Sequence, residues 1–408
     1  MVDIETGTYD AERDKDAVVR IWREVGWIDD DSEAAAMEHF LVGSDCLVAR
    51  IDNEAECAVI TSPGTIRYQD IDLPLAFVSA VTTSRIGRKL GLASRLTSQA
   101  VADSARGGAA VSILGMFEQG FYDKFGFGSG SYEHHLQFDP ASLQVDAPYR
   151  TPVRLTVDDW AEVHETFSNR LRFHGTTVAH PPGFTRADML WTEKPFGLGY
   201  RDDDGTLTHF VWGRTKGEHG PYRVTMLSYR SPDQLLELLK LLSVLGDQVR
   251  SVGVTQPAGI QLQDLVRHVV RQEIATAKSD HAFRHASGTW WQLRLLDVPA
   301  AVAARRYEGP PVRFVAAVTD PISSYLDDGW GAGGSYVVTI GEESSAEPGT
   351  DDTLPVLSAS INAFSRMWFG VRAASVLAVT DDLSGPAELL GDLDRALALP
   401  EPHPDMFF

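Results

Sequence analysis

The chain has 408 residues, a length that predicts two or three domains. Its hydrophobic fraction of 43% and charged fraction of 23% exclude a wholly disordered chain. Acidic residues outnumber basic ones by 57 to 36, and the net charge of −21 argues against a general nucleic-acid binder or an anionic-membrane binder. A cationic small molecule remains a plausible partner, although an acidic surface more often serves solubility.

Two cysteines, Cys46 and Cys57, are too few for a disulfide scaffold or a cysteine-rich zinc site. We therefore expect reduced thiols and no bound metal. The N-terminal sequence lacks the basic-then-apolar pattern of a signal peptide, and no apolar run reaches the ~18 residues of a membrane span. These features predict a cytoplasmic protein without a membrane partner.

The first third of the chain alternates helix and strand patterns. Helical spacing of apolar residues predicts a helix over residues 14–25, and a second helix is expected to be capped by Ser32. An apolar strand over 75–82, a helix over 89–106 and a strand over 109–117 predict an α/β domain. Between these parts, short strands separated by Asp-Asn and Pro-Gly turns are expected at residues 46–51, 55–60 and 65–71.

A proline-rich linker is expected over residues 139–153, after which the same order recurs. Residues 222–229 predict a strand, and Ser231 with Gln234 forms a capping box for a helix over 235–245. The turn between this strand and this helix contains no glycine, so no backbone phosphate site is expected there. The segment predicts a second copy of the α/β fold that has lost its ligand loop.

The last segment begins near residue 290, and its strands are followed by helices, which predicts an α+β domain. An acidic insertion at 341–352 is expected to be a loop. A G-x-G-x-x-G motif begins at Gly329, but it precedes a strand and so fails the structural test of a dinucleotide site. The aromatic ending Phe407-Phe408 indicates a buried tail. Strands are expected at 290–296, 312–319 and 335–340, and helices at 360–369 and 385–399.

The most informative segment, VTTSRIGRKLGLASRL at residues 81–96, runs from a buried strand into a helix. Gly91 and Ala93 have little or no side chain, so helix N-terminal N–H groups could approach a diphosphate, whose charge the helix dipole favours. Arg88 and Lys89 add positive charge. A plain basic first turn has the same composition, so the residues alone leave both interpretations open.

Two motifs carry a family resemblance. The spacing R-x-x-G-x-A after an apolar strand resembles the acetyl-coenzyme A loop of GNAT acetyltransferases. Residues 118–128, EQGFYDKFGFG, resemble the signature E-x-G-[IF]-Y-x-[RK]-F-G-[YF]-G of the enhanced-intracellular-survival (Eis-type) members. The resemblance spans nearly the whole chain and implies an α/β plus α+β fold. Its domains would be a GNAT domain (1–145), a degenerate GNAT-like domain (146–288) and a sterol-carrier-like domain (289–408).

The resemblance also implies an activity. Members of the family form hexamers and acetylate amines, including aminoglycosides and lysine side chains. An N-acetyltransferase is therefore implied, with acetyl-CoA as co-substrate, a small cationic amine (aminoglycoside, polyamine or lysine type) as acceptor, and a homo-hexameric assembly. Two alternatives stay open: a non-catalytic protein that holds a lipid or small molecule in its C-terminal domain, and a transferase for a different acyl group.

Carried over residue by residue, the resemblance implies that Tyr122 is the general acid and that the carboxylate of Phe408 is the general base. Val81 and Thr83 would offer backbone groups to the pantetheine arm. The diphosphate would be held by Arg88, Lys89, Gly91, Leu92 and Ala93. The chain departs from its relatives at Phe117, where they often have a small polar residue, and in its Thr-Thr-Ser strand-end turn, where they often have proline.

Other residues near these motifs have two interpretations. Tyr122 stands among phenylalanines and would fit a core as well as a site. Glu118 is either a second base or a cap of the following turn. His134 and His135 lie in a strand-like segment, where at most one is expected to face a substrate.

The acceptor side is expected after the first helix. Trp27 and Asp29, followed by two further aspartates, would suit a cationic amine through charge and cation–π contact. The same acidic run would also serve as a solvated helix cap. Phe407 is expected to anchor the tail beside the acceptor.

Overall fold

The structure is a computed structural model that describes residues 3–269, 280 and 282–406. None of the helices within these residues is long and apolar enough to cross a membrane. The strands are β1 Ile4–Thr8, β2 Asp45–Ile51, β3 Glu54–Tyr68, β4 Ile71–Thr83, β5 Val111–Gly115, β6 Gly128–Ser129, β7 Glu133–Phe138, β8 Val153–Leu155, β9 Thr177–Ala179, β10 Pro195–Arg201, β11 Leu207–Thr215, β12 Tyr222–Ser228, β13 Val252–Thr255, β14 Arg284–Gly288, β15 Trp291–Leu295, β16 Val312–Thr319, β17 Gly334–Ile340, β18 Ser345–Pro348, β19 Val356–Ser360 and β20 Leu383–Ser384. The α-helices are α1 Ala11–Glu24, α2 Asp31–Leu41, α3 Leu92–Arg106, α4 Trp160–Ser168, α5 Pro182–Trp191, α6 Pro232–Val244, α7 Val298–Ala303, α8 Ile361–Trp368, α9 Ala374–Thr380 and α10 Ala387–Ala396.

The described strands form three sheets. The first has the order β1-β2-β3-β4-β5-β15-β6, with β9 added to β3. The second has the order β14-β7-β13-β12-β11-β10-β8, and the third β18-β17-β16-β19-β20. Pairing within the first sheet is antiparallel except between β4 and β5. The predicted succession of two α/β units and an α+β unit is therefore present.

Helices α1 and α3 cover opposite faces of the first sheet. Along β3, Cys57 and Val59 join the apolar cluster of α3, whereas Ala58 and Ile60 join the cluster of α1. This alternation follows from the two-residue period of a strand. The cluster on the α1 side continues into the third sheet through residues such as Phe314, so the first and third units share a core.

The second unit repeats the first in outline. Strands β12 and β13 are parallel, and α6 lies between them in the chain. Ser231 Oγ accepts a hydrogen bond from Gln234 N at 3.3 Å, while the Gln234 side chain accepts from Arg230 N at 2.7 Å. The predicted helix start is confirmed, and the turn before it contains no glycine.

Two strands cross the predicted domain boundaries. The strand expected at 290–296 in the third domain is β15, which lies in the first sheet between β5 and β6. Conversely, β7 precedes residue 145 but lies in the second sheet between β13 and β14. An apolar alternating pattern predicts a strand, but it does not say which distant strand will pair with it.

The turn predicted at Pro63-Gly64 is absent, because β3 runs unbroken from residue 54 to residue 68. A Cβ on Gly64 would lie 2.3 Å from the carbonyl oxygen of Val178 on β9. The glycine therefore serves the close approach of β9 to β3 and not a change of chain direction.

Two smaller expectations are also corrected. Helix α3 begins at Leu92 and not at residue 89, because Lys89 and Gly91 both have positive φ angles (65° and 76°), which a right-handed helix does not contain. The acidic insertion at 341–352, expected to be a loop, contains β18, which pairs with β17. The segment that begins at Gly329 is a loop leading into β17, as predicted.

Candidate active site

Strands β4 and β5 diverge at their carboxyl ends. Their parallel pairing runs from Leu75–Val111 to Val78–Leu114, after which β4 continues to Thr83 beside β3 alone. Among the described strands, none pairs with the other edge of β4 beyond Val78. The backbone groups of this free edge, which includes half-buried Val81 and Thr83, face a gap between the two strands. An extended ligand arm could hydrogen-bond to that edge.

A backbone cradle follows directly at the end of β4. Ser84 fixes its start: Ser84 N donates to Glu56 O at 2.9 Å, and Ser84 Oγ accepts from Gly87 N at 3.1 Å. Its other end is Gly91, which caps α3 in a left-handed conformation with open space where a Cβ would stand. Ser84 was not singled out from the sequence, because a serine after a strand is common in any turn.

The cradle has the features of an anion site. The N–H groups in the first turn of α3 have no intrahelical acceptor, and their dipoles favour negative charge. Arg88 and Lys89 are exposed beside them and form no ion pair with any residue in the described part of the chain. Leu92 is buried in the core, whereas Ala93 is half-buried. Of the five residues predicted to hold a diphosphate, Arg88, Lys89 and Gly91 lie in the loop, and Leu92 and Ala93 begin α3. Only Leu92 is turned into the core.

Tyr122 is a packed residue with an unused hydroxyl. It is 2% exposed and belongs to the same apolar cluster as Val78, Leu92 and Leu114, at the base of the gap. Its ring meets Phe121 edge-on, with 4.9 Å between the ring centroids. Burial raises the pKa of Tyr122, so the phenol stays protonated. No described residue hydrogen-bonds to its hydroxyl, which leaves the proton for a ligand.

Glu118, His134 and His135, the other residues predicted near these motifs, have different surroundings. Glu118 is exposed and caps no turn among the described residues. His134 Nδ1 lies 3.0 Å from His285 Nε2, whereas His135 Nδ1 lies 3.0 Å from Thr255 Oγ1 and lines the cavity described below. Only His135 of the two histidines lines that cavity, and whether either faces a substrate stays a prediction.

The C-terminal tail returns to the first two units. Pro402, His403 and Pro404 are buried, and Pro404 O accepts hydrogen bonds from Thr177 N and Thr177 Oγ1, both at 3.0 Å. Arg170 Nε donates to the Asp405 carboxylate at 2.7 Å. The predicted burial of the tail is confirmed up to residue 404. Phe407 and Phe408, which carry the predicted anchor and general base, lie outside the described residues.

Beside the tail is a cavity of about 630 Å³, which we call the acceptor cavity. Asp405 and Met406 line it, together with Trp290 and with Asp188 of α5. Trp290 O accepts a hydrogen bond from Met116 N at 2.7 Å, just beyond the end of β5. The acceptor cavity therefore adjoins the end of the strand that borders the gap.

Glu133 in the wall of this cavity lies next to buried His403. Glu133 is 3% exposed, and its Oε1 lies 3.7 Å from His403 Nε2, too far for a hydrogen bond. Burial raises the pKa of Glu133 to about 8, with a smaller contribution from Asp405, and burial also lowers the pKa of His403. Burial thus favours the neutral form of both groups, and Glu133 Oε2 has no partner among the described residues.

Replacing Glu133 with glutamine is expected to stabilise the protein at alkaline pH more than at acidic pH. The folded pKa of about 8 lies above the reference value of 4.5, so the folded state binds more protons than the unfolded state between these values. The wild-type protein therefore loses stability as pH rises through this window, and the glutamine variant does not. The substitution should thus raise the free energy of unfolding by roughly 2–4 kcal/mol more at about pH 9 than at about pH 5. Urea unfolding at both pH values measures the difference.

The matched control is Glu118→Gln, because that glutamate is exposed and should show no such dependence on pH. Equal stabilisation by Glu133→Gln at both pH values would contradict a raised pKa at this position.

Trp27 and Asp29 lie between α1 and α2, and neither lines the acceptor cavity. Trp27 is 46% exposed. The acidic run contributes to the start of α2: Glu33 N donates to Asp30 Oδ1 at 3.0 Å, and Asp29 N donates to Glu33 Oε2 at 2.6 Å. These contacts are those of the helix cap, and the acceptor role of Trp27 and Asp29 stays a prediction.

Two acidic residues of the acceptor cavity were not found from the sequence. Glu133 stands at the start of a strand and Asp188 within a helix, and only the packed fold brings them to one cavity. The sequence offers only a weak signal for them. Each is an acidic residue next to apolar ones, and exposed acidic residues show the same pattern.

Comparisons with known proteins agree with this geometry. Residues 10–130 match the family described as acetyltransferase (GNAT) domain, and residues 298–404 match the family described as sterol carrier protein domain. An uncharacterized N-acetyltransferase of Streptomyces avermitilis is 25% identical over 364 residues, which cover 82% of this chain and 81% of the relative.

Two similar solved structures each cover all of both chains. A probable N-acyltransferase of Enterococcus faecalis V583 is 17% identical with a TM-score of 0.82, and Eis1 of Mycobacterium abscessus is 20% identical with a TM-score of 0.75. At such identities the likeness shows the fold, which is the predicted Eis-like layout. The match of residues 10–130 to an acetyltransferase (GNAT) domain favours the predicted acetyltransferase activity over the non-catalytic alternative.

Proposed function

We propose, from the match of residues 10–130 to an acetyltransferase (GNAT) domain, that this protein transfers the acetyl group of acetyl-CoA directly to a primary amine of a cationic acceptor. The acceptor is of the aminoglycoside, polyamine or lysine type. The observation that carries the proposal is one juxtaposition. An open N–H cradle at Gly91, the free edge of β4 and an acidic cavity at the end of β5 lie in succession. They match the order of diphosphate, pantetheine arm and acceptor along the reacting molecules.

The cradle is the proposed site for the diphosphate of acetyl-CoA. Arg88 and Lys89 would balance its charge, and the N–H groups of Gly91, Leu92 and Ala93 would donate to its oxygens. Val81 and Thr83 on the free edge of β4 would then pair with the amide groups of the pantetheine arm. This arrangement would place the thioester near the cluster that contains Tyr122.

Tyr122 is the proposed general acid. Attack of the amine on the thioester carbonyl releases a thiolate, which needs a proton. The Tyr122 phenol is protonated and makes no hydrogen bond to any described residue, so an arriving sulfur would be its acceptor. Phenylalanine would fill the same space without this proton.

The carboxylate of Phe408 is the proposed general base, which takes a proton from the attacking amine. Met406, two residues earlier, lines the acceptor cavity, and two residues reach at most about 7 Å. A terminal carboxyl group has a reference pKa of roughly 3.3–3.7, so it is ionised and able to accept a proton. Glu133, in the wall of the same cavity, is a second candidate for the general base. As the alternative to Phe408 it takes the place of Glu118, which is exposed.

The acceptor amine would enter the acceptor cavity. Glu133, Asp188 and Asp405 supply acidic groups there, and Trp290 supplies an aromatic face. Trp27, Asp29 and Phe407 remain proposed acceptor contacts.

We also propose the cytoplasm as the compartment, since Cys46 and Cys57 form no disulfide and are buried. The proposed assembly is a homo-hexamer, which light scattering can test.

The function is tested by mixing the protein with acetyl-CoA and a panel of amines and measuring the free thiol of coenzyme A. Thiol release that depends on the amine is expected, and mass spectrometry should show an acceptor heavier by one acetyl group. Propionyl-CoA in parallel measures the preference for the acyl chain. No amine-dependent release from any member of the panel would contradict the proposal.

Tyr122→Phe is expected to lower kcat by about 10²–10⁴-fold while the KM for acetyl-CoA stays the same. The variant keeps the packed ring and loses a hydroxyl that bonds to no described residue, so its thermal stability should change little. Phe121→Leu, an apolar change in the same cluster, is the control for altered packing. Full kcat in Tyr122→Phe would remove Tyr122 from the mechanism.

A further inference from the structure

A second cavity, of about 540 Å³, continues the acceptor cavity over the second sheet. The two cavities share six lining residues, so they form one continuous channel, which we call the sheet groove. The shared residues are His135, Glu193, Arg214, Arg223, Val254 and Thr255. Helix α6 packs on the other face of this sheet through the cluster that contains Leu238 and Val252.

Strand β7 gives the direction and length of the sheet groove. Glu133 lines the acceptor cavity, His135 lines both cavities, and Gln137 lines the second one. Alternate residues of a strand point to the same face, and each residue advances about 3.3 Å. The groove therefore extends roughly 13 Å from Glu133, near the tail, to Gln137.

The sheet groove is lined by side chains of both charges. Glu133, Asp188, Glu193 and Asp405 line the acceptor cavity together with Arg214 and Arg223. The second cavity contains a cationic group of side chains that form no ion pair within the described part of the chain: Lys194, Arg214, Lys216 and Arg223. These four side chains are exposed, and in a protein of net charge −21 such a concentration of cations beside one cavity is suited to an anionic group.

The centre of this cluster is an arginine pair. Arg214 on β11 and Arg223 on β12 stand directly opposite each other in the antiparallel register. Like charges at such positions destabilise a sheet. Burial, and then the charge of Arg214, lower the pKa of Arg223. An anion bound between the two guanidinium groups would relieve this repulsion and accept charge-assisted hydrogen bonds.

From this charge pattern we infer that the acceptor is not a plain polycation but an amine that also carries an anionic group, a carboxylate or a phosphate, held by Arg214 and Arg223. The inference rests on the proposed function and narrows its substrate class. Arg214 and Arg223 line the same cavity as the tail residue Asp405. A single acceptor of sufficient length could therefore place its amine beside the tail and its anion at the arginine pair.

The test compares two acceptors that differ only in the anion, Nα-acetyl-lysine and Nα-acetyl-lysine amide. The wild-type enzyme should prefer the acid by about tenfold in kcat/KM, mostly through KM. The double variant Arg214→Gln/Arg223→Gln should lose this preference while its KM for acetyl-CoA stays unchanged. Arg154→Gln, at an exposed arginine of β8 in the same sheet, is the charge-matched control and should retain it.

A second arm identifies the anion and its distance. A series of ω-amino carboxylates of increasing length, and the corresponding ω-aminoalkyl phosphates, should show a maximum of kcat/KM at one length in the wild type. The more active series identifies the anion. Both maxima should flatten in the double arginine variant.

Equilibrium binding separates this inference from the proposed function. If calorimetry shows that Nα-acetyl-lysine binds the wild type but not the double variant, the inference stands even where no acetylation occurs, and the proposed function fails. An amide acetylated as well as the acid, or a preference that the double variant keeps, overturns the inference. So does a double variant that changes only the oligomeric state, because another copy of the chain would then neutralise the arginines.

Discussion

Replacing Gly91 with glutamate is expected to lower acetyl-CoA affinity by about 100-fold or more, because the like-charge contact alone costs several kcal/mol. The new side chain would enter the open space of the cradle and place a carboxylate against the proposed diphosphate position. The φ of +76° adds a strain of roughly 1–3 kcal/mol. The protein should still fold, so calorimetry of acetyl-CoA binding together with thermal unfolding measures both effects.

Two controls separate charge from strain. Gly91→Ala has the backbone strain without the charge and should retain most of the affinity. Gly205→Glu introduces the same side chain at another positive φ, +84°, with open space around it in the β10–β11 turn, and should bind acetyl-CoA normally. If Gly91→Glu bound acetyl-CoA with unaltered affinity, the cradle assignment would be wrong.

Extending the C-terminus by a short Gly-Ser tag is expected to reduce kcat by about 10²–10⁴-fold, the contribution of a positioned general base. The tag converts the carboxylate of Phe408 into an amide, which accepts no proton at neutral pH. Acetyl-CoA affinity and thermal stability should not change, because residues 402–406 keep their hydrogen bonds to Thr177 and Arg170. Steady-state kinetics with a saturating amine measures the loss.

The same tag at the N-terminus, before β1, is the control and should leave kcat unchanged. Deleting Phe408 supplies an intermediate case, since a carboxylate remains but is displaced by one residue, and most of the activity should be lost. A C-terminally tagged enzyme with full kcat would reject the terminal carboxylate. The base would then be sought at Glu133, whose replacement by glutamine should in that event abolish turnover.

The parts of the site that local sequence predicts are those built by consecutive residues. The β4–cradle–α3 segment is one continuous stretch, so the glycine, the cations and the apolar strand could be recognised together. Tyr122 was recognised through a motif of adjacent residues, although local chemistry alone would have placed it in the core. Its burial confirms the packing, and its hydroxyl, which bonds to no described residue, explains why both interpretations had merit.

The parts that could not be predicted are built by residues far apart in the chain. The acceptor cavity joins Glu133, Asp188 and Asp405 from a strand, a helix and the tail. The arginine pair depends on the register of β11 against β12, which a shift of one residue would destroy. Gly64 shows the same limit, because its neighbour β9 lies more than a hundred residues downstream.

The insertion of β15 between β5 and β6 has a consequence for how the protein is made. The sheet that supports the cradle is incomplete until residues 291–295 have left the ribosome. Until then the outer edge of β5 is an unpaired strand edge, the kind of surface on which nascent chains aggregate. A fragment that ends at residue 130, where the GNAT match ends, would leave the outer edge of β5 permanently unpaired. The catalytic unit is therefore not a module that gene fusion or truncation could transplant, and the C-terminal half is as much a part of it as the residues that carry its motifs.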